Sequence, residues 1–378
     1  MRPGIDVLLA DGCSLLEGKR CGLITNPSAV TADGVPTADA LHDHGTVELV
    51  ALFGPEHGIR SDHQEGEVPD GTDPRTGLPV FSLYGPNRQP TPEQLTGIDV
   101  LLFDIQDVGM RFYTYISTMS LSMEAAGAAG VEFVVLDRPN PIGGEVVEGS
   151  VTDPEFISFV GCQPIALRHA MTVGELAAMF AERFHQTPPE LTIVDCDGWR
   201  RELWFDQVGL PWRKPSPGIY MMDTCIAYGC TCFLEGTRMS EGRGTETPFE
   251  VFGAPWMDGE AMAEALNGLD LPGVEFHGTE FTPEYSKHKG VHCGGVRISV
   301  LDRGEYRCVS VAVAILTEAH RLWPNDFEWT PGFFIDRLAG TDRLRKGVDA
   351  GESAASILSS WRPDADRFAR DREPYLRY

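Results

Sequence analysis

The chain has 378 residues, 42% of them hydrophobic and 23% charged, an ordinary globular composition with enough length for two domains. Its formal net charge of -25, with Lys and Arg scattered and no basic stripe, argues against a nucleic-acid partner. No apolar run approaches the ~20 residues of a membrane helix, so no membrane partner is expected either.

At the N-terminus only Val7 to Ala10 form an apolar stretch, too short for a signal peptide. A cytoplasmic location is therefore expected, with an exported protein lacking its leader as the alternative. The nine cysteines, an odd number, argue against a disulfide framework. Cys225, Cys230 and Cys232 lack the paired spacing of a zinc site and read as buried core thiols.

Apolar, β-rich runs at 21–25, 47–53, 80–83, 100–103 and 131–136 predict strands buried on both faces. Helical patterns over 37–44, 116–129 and 176–184 alternate with them, and a further strand is expected at 191–194. This order predicts an α/β fold with a mostly parallel, Rossmann-like sheet. Around 205–230, Pro211, Pro215 and Pro217 break the chain before Gly218 and read as a linker or crossover. Beyond it, strands near 231–234 and 295–301 and helices near 259–266 and 309–322 suggest a smaller α+β domain. The expected division is 1–225 and 226–378, the second part closing a cleft over the first.

Rossmann-like sheets bind ligands beyond the carboxyl ends of their strands. Three strand ends here carry titratable groups on Gly/Pro-rich loops: Gly54-Pro55-Glu56-His57-Gly58, Asp104-Ile105-Gln106-Asp107-Val108-Gly109 running to Tyr115, and Asp137-Arg138-Pro139-Asn140-Pro141. No G-x-G-x-x-G follows the first strand, and Walker A and G-x-S-x-G are absent, so no cofactor is expected.

Glu56 either donates a proton from a partly desolvated sheet mouth or caps an amide in an ordinary turn. Glu241, Arg243 and Glu246 lie on a Gly-rich loop that either faces solvent or faces Glu56 across a cleft. Asp104, Gln106 and Asp107 suit a sugar hydroxyl. Metal binding would need His57, Asp62 or His63 as well, and no recognised spacing supports it. Arg111, Tyr113 and Tyr115 suit a sugar or anion platform, or else ordinary packing with Phe112 in the core.

These segments together resemble the NamZ-type exo-β-N-acetylmuramidases, formerly a family of unknown function. The resemblance rests on Gly22-Leu23-Ile24-Thr25-Asn26-Pro27, Phe53-Gly54-Pro55-Glu56-His57-Gly58, Gly77-Leu78-Pro79-Val80 continuing to Tyr84-Gly85, and Phe103 to Tyr115. It continues through Leu136-Asp137-Arg138-Pro139-Asn140-Pro141, Phe233-Leu234-Glu235-Gly236-Thr237, Ser240-Glu241-Gly242-Arg243-Gly244-Thr245, Pro248 to Trp256, and Asp336 to Thr341. The chain departs from the expected Pro-Ser-Pro-Asn-Met-Pro, having Pro215-Ser216-Pro217-Gly218-Ile219-Tyr220, a stretch expected beside the cleft.

The resemblance implies release of non-reducing-terminal N-acetylmuramic acid from muropeptides or glycan fragments. A muramic acid carries a lactyl carboxylate, so an acidic protein needs local arginines, and Arg111, Arg138 and Arg243 are the candidates. Glu56 is the expected general acid and Glu241 the expected second carboxyl group, with Asp104 and Asp107 competing. His57, Asp104, Gln106, Asp107, Tyr113, Tyr115 and Asn140 complete the expected substrate contacts. A retaining, an inverting and a substrate-assisted course all remain open. Two other functions compete: a metal-dependent hydrolase or deacetylase of cell-wall sugars, and a non-catalytic muropeptide sensor.

Overall fold

The computed structural model describes residues 1–60 and 69–378. The first half of the chain runs α1 (Gly4–Ala10), β1 (Arg20–Thr25), α2 (Thr37–His42), β2 (Glu48–Gly54), β3 (Gly71–Thr72), β4 (Pro79–Ser82), β5 (Val100–Asp104), α3 (Tyr115–Ala129) and β6 (Glu132–Leu136). It continues with β7 (Glu148–Val151), β8 (Ala166–Arg168), α4 (Val173–Arg183), β9 (Leu191–Val194) and α5 (Met222–Thr231). The rest comprises β10 (Val251–Ala254), α6 (Gly259–Asn267), β11 (Val274–Phe281), β12 (Cys293–Val300), α7 (Cys308–Leu322), α8 (Phe334–Ala339), α9 (Arg343–Asp349) and α10 (Ala354–Asp371).

The main sheet has the order β3-β4-β2-β1-β5-β6-β9 and is parallel except for the β3–β4 pair. The expected α/β fold with a mostly parallel sheet is therefore present. Its central strands are apolar along their middles because each face meets its own core. Leu101, Phe103, Phe133 and Val135 point into one cluster, and Val100, Leu102, Val134 and Leu136 into another. The larger cluster also takes in Phe233, Phe252, Val309 and Leu344, so the packing runs unbroken into the C-terminal part. There an antiparallel sheet, β10-β12-β11, packs against α6.

Several sequence expectations need correction. The strand expected at 231–234 is instead the end of α5 and a 3-10 turn, Cys232–Gly236. An apolar run this short has no periodicity to separate strand from buried helix, and Cys230, Phe233 and Leu234 are buried on all sides. The linker expected at 205–230 contains most of α5. Residues 7–10 lie in α1, whose amphipathic side packs Ile5 and Leu8 onto the sheet. β11 and α10 went unpredicted: α10 buries only Ile357, Trp361 and Phe368 and carries Pro363 within it. All nine cysteines are free, and eight are buried. No helix among the described residues is long and apolar enough to cross a membrane.

Candidate active site

A cleft of about 710 Å³ opens between the loops after β2 and β5 and the turns around 228–249 and 286–287. It draws Glu56, His57, Tyr113 and Tyr115 from the first part of the chain and Glu241 and Arg243 from the second.

Glu56 sits on the tight turn that ends β2. The following His57 has a backbone φ of 71°, a left-handed conformation uncommon for a residue with a side chain. The Glu56 carboxylate accepts the Thr114 hydroxyl at 2.9 Å. Tyr115 Oη donates to the Pro215 carbonyl at 2.8 Å and reaches the Glu56 carbonyl at 3.4 Å, tying the Glu56 turn to the crossover segment. Tyr84 lies beside Glu56; burial, reinforced by the Glu56 charge, pushes its phenol up to about 12.

Tyr113, Tyr115, Tyr228 and Phe249 form a run of edge-on ring contacts, with centroids 4.8 to 5.8 Å apart. The Arg243 guanidinium lies over Phe249, its carbon 4.7 Å from the ring centroid. It bonds Glu235 at 2.9 Å and faces Glu241 at 3.4 Å. Burial disfavours its charge, but these two carboxylates outweigh that and hold Arg243 above the usual guanidinium range. Lys287 completes the wall: its ammonium donates to the carbonyls of Leu234 and Met239 at 2.8 and 2.9 Å and to Glu241 at 3.0 Å.

The other expected contacts lie elsewhere. Arg111 is 1% exposed, and its guanidinium donates to the carbonyls of Ser150, Ile165 and Leu338. With no carboxylate bonded to it, burial lowers it to about 9. Arg138 is clamped on Asp104, which also accepts the Thr37 hydroxyl at 2.5 Å. Gln106 donates to the carbonyls of Asp107 and Pro139, and Asn140 to that of Met171. Asp107 accepts the Gly109 amide and lies 3.3 Å from His169. None of these six residues lines the cleft; Asp104, Gln106, Asp107, Arg138 and Asn140 fasten the strand-end loops, and Arg111 ties its own loop to β7 and α8. A buried polar group needs a partner, and at the top of a parallel sheet the loop carbonyls and amides are the nearest ones.

Glu235, Lys287, Tyr84, Arg88, Tyr228 and Arg337 line the cleft but were not among the expected site residues. Glu235 was visible within the quoted Phe233–Thr237 motif, whereas Lys287 stands in no motif. Ser216 and Ile219 line the cleft, so the divergent 215–220 stretch does lie beside it. Among the described residues, no three His, Cys, Asp or Glu side chains converge as a metal site would need; Asp62 and His63 lie outside them.

Residues 21–223 match the family signature described as exo-beta-N-acetylmuramidase NamZ, N-terminal, and residues 226–378 match its C-terminal counterpart. The chain belongs to the NamZ exo-β-N-acetylmuramidase family. It is 45% identical over 379 residues to the peptidoglycan beta-N-acetylmuramidase NamZ of Bacillus subtilis (strain 168), covering 100% of this chain and 91% of that protein. Among solved structures, it is similar to two DUF1343 family proteins of Bacteroides fragilis NCTC 9343. One matches with a TM-score of 0.95 at 39% identity and the other with 0.82 at 31%, each covering 100% of this chain and 98% of the other. The NamZ family resemblance seen in the sequence motifs thus extends across both parts of the chain.

Proposed function

We propose that this chain is an exo-acting glycosidase that releases β-linked N-acetylmuramic acid from the non-reducing end of peptidoglycan fragments, whether muropeptides or peptide-free glycans. One observation carries the reading beyond family membership. A protein of net charge -25 holds Arg243 and Lys287 in the lining of a cleft that Glu56 also lines. The glycosidic oxygen needs a proton as the bond breaks, and the lactyl carboxylate needs a cation.

In this reading Glu56 is the proton donor, with its carboxyl orientation set by Thr114. Arg243 takes the lactyl carboxylate. Its Nε and one terminal nitrogen are engaged by Glu241 and Glu235, and the other, Nη1, borders Gly218, which brings no side chain of its own to it. Tyr113 and Tyr115, 6% and 2% exposed, shape the floor of the cleft beneath the sugar, and His57 offers a polar contact beside the acid.

The test is chromophore release from an aryl β-N-acetylmuramide beside the matching β-N-acetylglucosaminide, with and without chelator. Cleavage of the muramide alone, unchanged by chelator and abolished by Glu56→Gln, is expected. Loss of activity on chelation would favour a metal-dependent hydrolase, and tight muramic acid binding without turnover would favour a sensor.

A further inference from the structure

The charged wall of the cleft holds two carboxylates and two cations, but the two carboxylates are not equivalent. Glu241 is 1% exposed, and both of its oxygens are engaged, Oε2 by Lys287 at 3.0 Å and Oε1 by Arg243 at 3.4 Å. A carboxylate neutralised on both oxygens is a weak base and a weak nucleophile. Glu235 uses only Oε1, which accepts Arg243 at 2.9 Å, and its Oε2 has no hydrogen-bond partner among the described residues. Some 27% of the Glu235 side chain stays accessible, against 2% for Glu241.

The backbone that carries Glu235 is held in place. The Leu234 carbonyl accepts the Lys287 ammonium, and the Gly236 carbonyl accepts the Thr330 amide at 2.9 Å. A Cβ on Gly236 would sit 2.8 Å from Ile335 Cα, so the turn lies directly against α8 with no room for a side chain. A reacting group needs this kind of support to stay within a few tenths of an ångström of its working position.

We propose that Glu235 is the second carboxyl group that meets the bound sugar, where it takes up the proton released by the nucleophile. Glu241 is then a positioning residue that keeps Arg243 and Lys287 in the cleft wall. The inference rests on the glycosidase reading above. As the glycosidic C–O bond breaks, Glu56 gives its proton to the leaving oxygen. The nucleophilic oxygen, from water or from the substrate's own acetamido group, bonds to the anomeric carbon, and its O–H or N–H proton passes to Glu235. The groups facing Glu235 are Tyr228 from α5, Cys232 from its own turn, Arg243 and Glu241 from the 240–246 loop, and Lys287. Burial raises the Glu235 carboxyl, Arg243 opposes that rise and Glu241 adds to it, and a raised carboxylate is a stronger base than an ordinary one.

The experiment compares Glu235→Gln, Glu241→Gln and Glu235→Asp on a series of aryl β-N-acetylmuramides with different leaving groups. Glu235→Gln is expected to lose at least about a hundredfold in kcat, by the same factor for good and poor leaving groups. Its pH profile loses the acidic limb while its melting temperature is unchanged. Glu235→Asp, which keeps the carboxyl group, restores that limb at a reduced rate and serves as the folding control. Glu241→Gln is expected to raise KM and lower the melting temperature while keeping kcat within about tenfold. NMR of the first-formed sugar distinguishes the nucleophiles: an α product means water attack and a β product means acetamido participation. Retention of kcat within threefold in Glu235→Gln would overturn the proposal, as would loss of the acidic limb in a stably folded Glu241→Gln. A wild-type protein inactive on every muramide would instead strike the glycosidase reading itself.

Discussion

Thr114 donates its hydroxyl to Glu56 Oε2 at 2.9 Å, although it stands at the N-cap of α3, where such a side chain ordinarily binds the first amides of its own helix. The helix forgoes a local cap, and the carboxyl group gains a fixed orientation. Local rules are set aside most readily at working sites. Thr114→Val is expected to lower kcat about tenfold with little change in KM, the loss of one hydrogen bond to a carboxyl group of about 1.5 kcal/mol. Steady-state kinetics on an aryl muramide check this, and an unchanged kcat would show that Thr114 does not position Glu56.

Gly218 borders Arg243 at Nη1, whereas Glu241 faces its Nε. A Cβ there would lie 3.0 Å from Arg243 Nη1 and 3.2 Å from the Phe249 ring. Gly218→Leu is therefore expected to press on the guanidinium end of Arg243 and to cover the nitrogen offered to substrate. The preference for muramide over glucosaminide, measured as the ratio of kcat/KM, should fall about tenfold. A ratio unchanged by the substitution would mean that Arg243 is not the carboxylate receptor.

Arg111 was expected in the anion pocket, and its substitution separates a binding role from a structural one. Arg111→Met strips three buried carbonyls of their donor. The expected loss is about 3 kcal/mol of stability, seen as a lower denaturant midpoint, with muramide selectivity unchanged in the folded protein. A selectivity change at full stability would return Arg111 to the substrate.

The C-terminal Tyr378 reaches back onto the main sheet, its phenol donating to Asp137 at 2.7 Å and accepting the Cys196 amide at 2.8 Å. Burial raises Asp137 to about 6, and the bonds from Tyr378, Gly174 and Thr172 partly offset that rise. A carboxyl group whose folded-state value lies above its unfolded one favours folding fully at low pH. It loses that contribution as the pH rises from about 4 through about 6. Tyr378→Phe removes a donor that matters most once Asp137 is ionised. The variant should be destabilised by about 2 kcal/mol at pH 7.5 and by clearly less at pH 4, as read from urea unfolding at both values. Equal losses at the two pH values would show that Asp137 does not titrate between them in the folded protein.

The sequence by itself determined the parallel sheet, because strands buried on both faces must be apolar at nearly every position, as 100–103 and 133–136 are. It also determined that Glu56, His57, Glu241 and Arg243 stood on loops, since each sits among glycines and prolines, whereas Tyr113 ends such a loop and Tyr115 opens α3. Three matters were left to the tertiary structure. The short apolar run after Tyr228 became helix rather than strand because buried packing on all sides erases the periodicity that tells the two apart. Arg138, Asp104, Gln106, Asp107 and Asn140 became fasteners between loops and Arg111 a tie to β7 and α8, because a polar side chain's role depends on which carbonyls and amides lie within about 3 Å of it, and local sequence does not record that. Lys287 joined the cleft from a segment far along the chain, carried there by the packing of the 283–290 stretch against the 240–246 loop, where Glu284 donates its amide to Gly244. Chain order names the groups available for chemistry; the long-range contacts of the folded core choose which of them face one another.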